Sequence, residues 1–230
     1  MEMSPLIQAA RDGNLEQVAA LISDNADVNE LHKNGASALI YAAENGHLDV
    51  VSHLIENGAD PTVTTKMGGT ALNRAAENGY IDVMRHLLKK GTPVGDLALI
   101  VASREGHLDA VKLLIESGAD VNAQQRWGQT AIMLASREGH SSVVKFLLEN
   151  GANVRLKDKN GDTALNIAND NDNLDIAMQL KRAGAKAVVK KAPQPSVPDE
   201  DDDADDASDV EDLIGDDDED IPDDVEVDDE

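Results

Sequence analysis

Apolar residues return at helical spacing along most of this chain. In "HLDVVSHLIENG", residues 47–58, Leu48, Val51, Leu54 and Ile55 fall three or four positions apart with polar residues between them. That spacing predicts a short amphipathic helix with one buried face. An alanine-rich stretch, "SALIYAAENG", residues 37–46, precedes it, and each stretch closes on glycine (Gly46, Gly58). Glycine suits a helix end because the left-handed backbone there carries no Cβ penalty. Two short helices per unit, each stopped by glycine, are the predicted building block.

The block repeats. "RDGNLEQVAALI", "ENGHLDVVSHLI", "ENGYIDVMRHLL", "REGHLDAVKLLI" and "REGHSSVVKFLL" superimpose, with glycines at 13, 46, 79, 106 and 139 and Asp172 in the sixth equivalent place. The intervals are 33, 33, 27, 33 and 33 residues. Ser4, Ser37, Thr70, Thr130 and Thr163 stand where a hydroxyl caps the first helix of a unit. The second helices stop at Asn25, Gly58, Gly91, Gly118, Gly151 and Gly184. Asparagine also tolerates the left-handed region. A period of this length marks a solenoid of stacked supersecondary units.

"GGTALNRAAENGYIDVMRHLL" and "LLIESGADVNAQQRWGQTAIMLASREGH" resemble ankyrin repeats. The resemblance covers residues 4–186 and implies an all-α solenoid of stacked helix pairs with short β-hairpin fingers. The units run about 4–33, 34–66, 67–94, 95–126, 127–159 and 160–186. An ankyrin domain of residues 1–188 is then followed by a proline-containing linker, 189–198, and an acidic tail, 199–230, expected to be disordered. The family's Thr-Pro-Leu-His motif survives as "SPL" at Ser4, while alanine takes the proline place at 38, 71, 98, 131 and 164. Alanine is the best helix former, so the fold expectation stands.

The 27-residue interval lies in "KKGTPVGDLALI", residues 89–100. Ten residues run from Gly118 to Gly128, but only four from Gly91 to Gly95, so one finger is missing. Leu97 occupies the capping place there, a loss of about 1 kcal/mol unless Asp96 substitutes. A notch is expected in the finger row between the third and fourth units.

Charge changes the picture at the C-terminus. The formal net charge is -25, and residues 199–230 carry 21 Asp and Glu without one Lys or Arg, which leaves only -4 for the first 198 residues. Such density keeps a segment extended. It opposes nucleic acid and anionic membranes and favours a basic protein partner. "DASDVEDLIGDDDEDIPDDVEVDDE" is interrupted by aliphatic residues, of which Leu213, Ile214 and Ile221 are candidate contacts for a client. "SDVE" at Ser208 resembles the site of an acid-directed kinase. Eight basic residues within 155–191 form a positive end to the repeats, where the tail is expected to rest until a client displaces it.

Cysteine is absent, which removes disulfide, thiol and thiolate-metal chemistry. The N-terminus reads as no signal peptide and no segment is long enough to span a membrane, so a soluble monomer in the cytoplasm or nucleus is expected. His47, His107 and His140 share one repeat position and His53 and His86 another, which points to packing rather than to metal or catalysis. No nucleophile elbow, phosphate loop or carboxylate pair stands out. No cofactor, metal site or enzymatic activity is expected.

The resemblance places partner-binding residues at finger tips and on the first helices. The tip candidates are Lys33, Asn34, Lys66, Met67, Arg126, Trp127 and Lys159. Those on the helices are Tyr41, Glu44, Arg74, Glu77, Arg104, Met133 and Arg137, with Asn73 beside them. Arg126 and Trp127, the sole tryptophan, carry the chemistry most typical of interface anchors. Asn29 and Asn122 match a spacing hydroxylated in animal ankyrin proteins, though the repeat pattern accounts for both structurally. Two functions fit: a chaperone or inhibitor that shields a basic client with help from the tail, and a plain scaffold whose tail serves solubility.

Overall fold

The structure, a computed structural model, describes residues 3–186, all within one compact unit, Met1–Lys190. The linker from 189 and the acidic tail, with Ser208, Leu213, Ile214 and Ile221, lie outside the described residues.

Twelve helices occupy the described residues in six antiparallel pairs: α1 (Pro5–Arg11) with α2 (Leu15–Ser23), α3 (Ala38–Glu44) with α4 (Leu48–Glu56), α5 (Ala71–Glu77) with α6 (Ile81–Lys89), α7 (Asp96–Arg104) with α8 (Leu108–Glu116), α9 (Ala131–Glu138) with α10 (Ser141–Glu149), and α11 (Ala164–Asp170) with α12 (Leu174–Arg182). Odd-numbered helices pack closely on one another in sequence order, and even-numbered helices form a looser outer layer. Small side chains allow the close approach: Ala10, Ala43, Ala76, Ser103 and Ser136 share one repeat position and are fully buried. The hydroxyls of Ser103 and Ser136 have no hydrogen-bond partner there.

Ser4, Ser37, Thr70 and Thr163 cap their helices by accepting from the amides of Ile7, Ile40, Asn73 and Asn166. Thr130 holds the same backbone position, but its buried hydroxyl makes no such bond. In the short unit, α7 starts at Asp96 with Gly95 as its cap residue and no side-chain cap. Leu97 is therefore inside the helix, not ahead of it. Asp96 acts only through its charge in the first turn, favourably placed at the positive end of the helix dipole.

Successive units are keyed to each other at the glycines. Gly106 has φ +78°, and an added Cβ would lie 2.5 Å from His140 Nδ1 of the next unit. His140 donates from Nε2 to the carbonyl of Arg104 (2.8 Å). His47 and His107 reach Arg11 O and Glu77 O in the same way, and Asn173 reaches Ser136 O and Arg137 O. Tyr80 fills the corresponding space over Gly46 with its ring alone. In the sixth unit the position is Asp172, which adopts φ +57° without being glycine.

Two asparagines add a clamp on the loop side. Asn29 donates to Gly58 O (3.0 Å) and accepts from the Asp60 amide (2.8 Å); Asn122 does the same with Gly151 O (3.2 Å) and the Asn153 amide (2.7 Å).

Candidate protein-binding surface

Four fingers stand between the units, at residues 31–37, 64–70, 124–130 and 157–163. Each is a tight turn whose glycine amide returns to the start of the turn, as in Gly35 N to His32 O (2.7 Å) and Gly128 N to Gln125 O (2.7 Å). Ladder pairing is minimal: among the described residues the sole β-bridge is Leu31 with Ser37.

The fingers are joined in two pairs. The Lys66 amide donates to Asn34 O (2.9 Å), and the Lys159 amide to Trp127 O (3.0 Å). Gly35 and Gly128 are covered by the following finger, whereas nothing lies within 4 Å of a Cβ built on Gly68. Between the pairs the chain passes from Gly91 to Gly95 without a finger, so the expected notch is present. Thr62 stands where Asn29 and Asn122 stand in other units and bonds only to Asp60, so the asparagine clamp is absent at this junction. The helix side is closed by His107 on Glu77 O (3.1 Å) and by Arg104 on Glu77 (2.7 Å).

Arginines and glutamates on the odd-numbered helices form a ladder across the units. Arg74 lies 4.0 Å from Glu44 and 2.7 Å from Glu77, and Arg104 lies 2.7 Å from both Glu77 and Glu105. The hydrogen bond that Arg104 donates to Glu105, with the charges of Glu105 and Glu77, holds the Arg104 guanidinium above its usual pKa. Arg137 pairs with Glu138 (2.8 Å). The side chains are half-buried, so each cation is locked in place by acids of its own or the adjacent unit. Beside the ladder, Arg11, Tyr41, Asn78 and Tyr80 help line an open groove of about 640 Å³. Tyr41 ties this face to the first finger: Asn34 Nδ2 donates to its hydroxyl (3.0 Å), and His32 Nδ1 lies 3.3 Å away.

Most predicted site residues reach the surface. Lys33, Asn34, Lys66, Met67, Arg126, Trp127 and Lys159 are exposed at tips; Tyr41, Glu44, Arg74, Glu77, Arg104 and Arg137 are partly exposed on the helices. Met133 is not on this surface: it is 1% exposed, inside the core. Asn73 occupies the same repeat position and is buried too, as are Ile40, Ile100 and Asn166. One helical residue is a rotation of about 100°; this position faces the stack interior, while the next is partly exposed where Tyr41 and Arg74 hold it and buried where Val101 and Leu134 do. Sequence reasoning missed Arg11, Tyr80 and His32. Arg11 was findable, because it lies two residues before Gly13 as Glu44, Glu77, Arg104 and Arg137 lie before their glycines.

Helix pairs keyed at this period, with turns projecting between them, agree with the comparisons to known proteins. The profile described as ankyrin repeats (3 copies) matches residues 6–98, 57–125 and 99–191. The chain belongs to the ankyrin repeat family. Among solved structures, the human ASB11 ankyrin repeat domain is 28% identical with a TM-score of 0.76, covering 83% of this chain and 88% of its own. A chain from a predatory endopeptidase of Bdellovibrio bacteriovorus in complex with its immunity protein, Bd3460, is 29% identical with a TM-score of 0.71, covering 79% and 99%. An ankyrin repeat domain from Acinetobacter baumannii is 30% identical with a TM-score of 0.69, covering 79% and 98%. No curated protein matches. Ankyrin repeats are a non-enzymatic interaction fold that binds protein partners. Among the described residues no helix is long and apolar enough to cross a membrane.

Proposed function

We propose that this ankyrin protein holds and shields a basic client protein, as a dedicated chaperone or an inhibitor, without catalysing a reaction. The observation that carries the reading is the charge distribution: 21 acidic and no basic residues in 199–230, attached to a repeat domain close to neutrality. The tail draws in and screens the client's positive charge, while the groove beside the Arg–Glu ladder gives selectivity. A fixed alternating ladder discriminates between partners more than it raises affinity, because a misplaced charge meets a like charge held in position. One similar chain comes from a complex of an endopeptidase with its immunity protein, which is compatible with a holding role.

Affinity capture with the full chain and with a variant lacking residues 199–230 tests the proposal. Loss of basic proteins from the captured set on truncation supports shielding. An unchanged set supports the scaffold reading, in which the tail contributes solubility alone.

A further inference from the structure

The helix face and the finger row differ in how their cations are used. On the helices Arg74, Arg104 and Arg137 are each paired with glutamate. At the tips one cation recurs in each finger, Lys33, Lys66, Arg126 and Lys159, and among the described residues none has a carboxylate within 4 Å. The nearby acids are turned to other uses. Asp158 accepts from the amides of Asn160 and Asp162 (2.9 Å each), and Glu30 accepts from Ser4.

Two tips add apolar groups. Met67 is 88% exposed and Trp127 60%. The Trp127 ring is flanked by Arg126 at 5.7 Å and Lys159 at 5.8 Å. Cations over an indole face hold the ring in place while their remaining donors stay available to a partner. The inter-finger bonds fix the spacing of Lys33 to Lys66 and of Arg126 to Lys159, so the row is preorganised on both sides of the notch.

We propose that the finger tips form a second interaction surface, a rail of four cations with Met67 and Trp127 as apolar anchors, that takes an extended acidic segment of a partner protein bearing aliphatic or aromatic side chains. A basic client is repelled by such a rail, so this surface and the one that shields the client are separate. Nucleic acid fits less well. Its uniform phosphate backbone offers nothing apolar to Met67, and the chain's net charge of -25 opposes a long polyanion more than a short peptide.

The test is fluorescence anisotropy with the full chain and a labelled peptide of repeated Glu-Glu-Leu, beside a Lys-Lys-Leu control and an oligouridine probe. Saturable binding of the acidic peptide is expected at physiological salt. The combined variant K33E/K66E/R126E/K159E should lower that affinity by about tenfold or more, as should Trp127→Ala alone. The five positions are exposed, and an unchanged far-UV circular dichroism spectrum verifies that each variant is folded. Lys112→Glu, a cation on α8 away from the tips, should leave affinity unchanged. The proposal is overturned if the peptide fails to bind, if the tip reversals act no more strongly than Lys112→Glu, or if oligouridine binds more tightly than the peptide. It is overturned as regards a partner if deleting residues 199–230 raises peptide affinity several-fold, since the chain's own tail then occupies the rail. Failure of the basic-client reading would leave these results untouched, because no basic protein enters the assay.

Discussion

Replacing Gly106 with alanine should cost more than replacing Gly118, although both follow helix ends with a left-handed backbone. At Gly118, φ is +93° and nothing lies within 4 Å of the added methyl, so Gly118→Ala carries only the conformational penalty, about 1–2 kcal/mol. At Gly106 the methyl carbon would lie 2.5 Å from the His140 ring, closer than packed atoms approach. The ring must leave, and its hydrogen bond to Arg104 O goes with it, an added loss of about 0.5–1.5 kcal/mol. Gly106→Ala is therefore expected to destabilise by roughly 1.5–3.5 kcal/mol. Urea unfolding followed by far-UV circular dichroism measures both variants, with His140→Ala completing a double-mutant cycle. In the His140→Ala background the cost of Gly106→Ala should fall to that of Gly118→Ala. Equal costs for the two glycines in the parent chain, or simple additivity in the cycle, would refute a steric key between units.

Ser103→Ala and Ser136→Ala should each stabilise by about 1 kcal/mol in the same unfolding assay, because each removes a buried hydroxyl without a partner and installs the alanine found at 10, 43 and 76. Asn29→Ala and Asn122→Ala each delete two bonds between units and should destabilise by about 1–3 kcal/mol, whereas Thr62→Ala, which removes no bond between units, should stay within about 0.5 kcal/mol. Affinity for a captured basic client should fall steeply between low and physiological ionic strength for the full chain and hardly at all for a chain lacking 199–230; parallel salt profiles would sink the role of the tail.

The repeat architecture was readable because glycine and hydroxyl positions recur with a fixed period and each has a local physical cause. The missing finger was readable as a shortened interval. What was not readable depends on rotation and on neighbours. Asn73 sits one residue from Arg74, which does face outward, whereas Met133 lies between the buried Ile132 and Leu134, and the chain text does not say where the interior begins on a helix of seven or eight residues. Thr130 stands between a turn and an alanine that starts the helix, as Thr70 does, yet its hydroxyl makes no capping bond. The same holds for the Arg–Glu ladder: Glu77 draws one arginine from its own helix and one from the next unit, a pairing that only the stacking reveals.

The key between units also gives the stack a direction. Each glycine is filled by a side chain from the unit after it, so every unit is locked by its C-terminal neighbour and locks its N-terminal one. Trimming the first unit removes a keyhole and leaves His47 without Arg11 O, but the remaining locks keep their keys. Trimming the last removes Asn173 and uncovers Gly139. Asp172 marks the end of this succession: with no later side chain among the described residues to receive, the position keeps its left-handed backbone and has dispensed with glycine. Shortening from the C-terminus should therefore loosen the new final unit at once, while shortening from the N-terminus should leave the units behind it as tightly held as before.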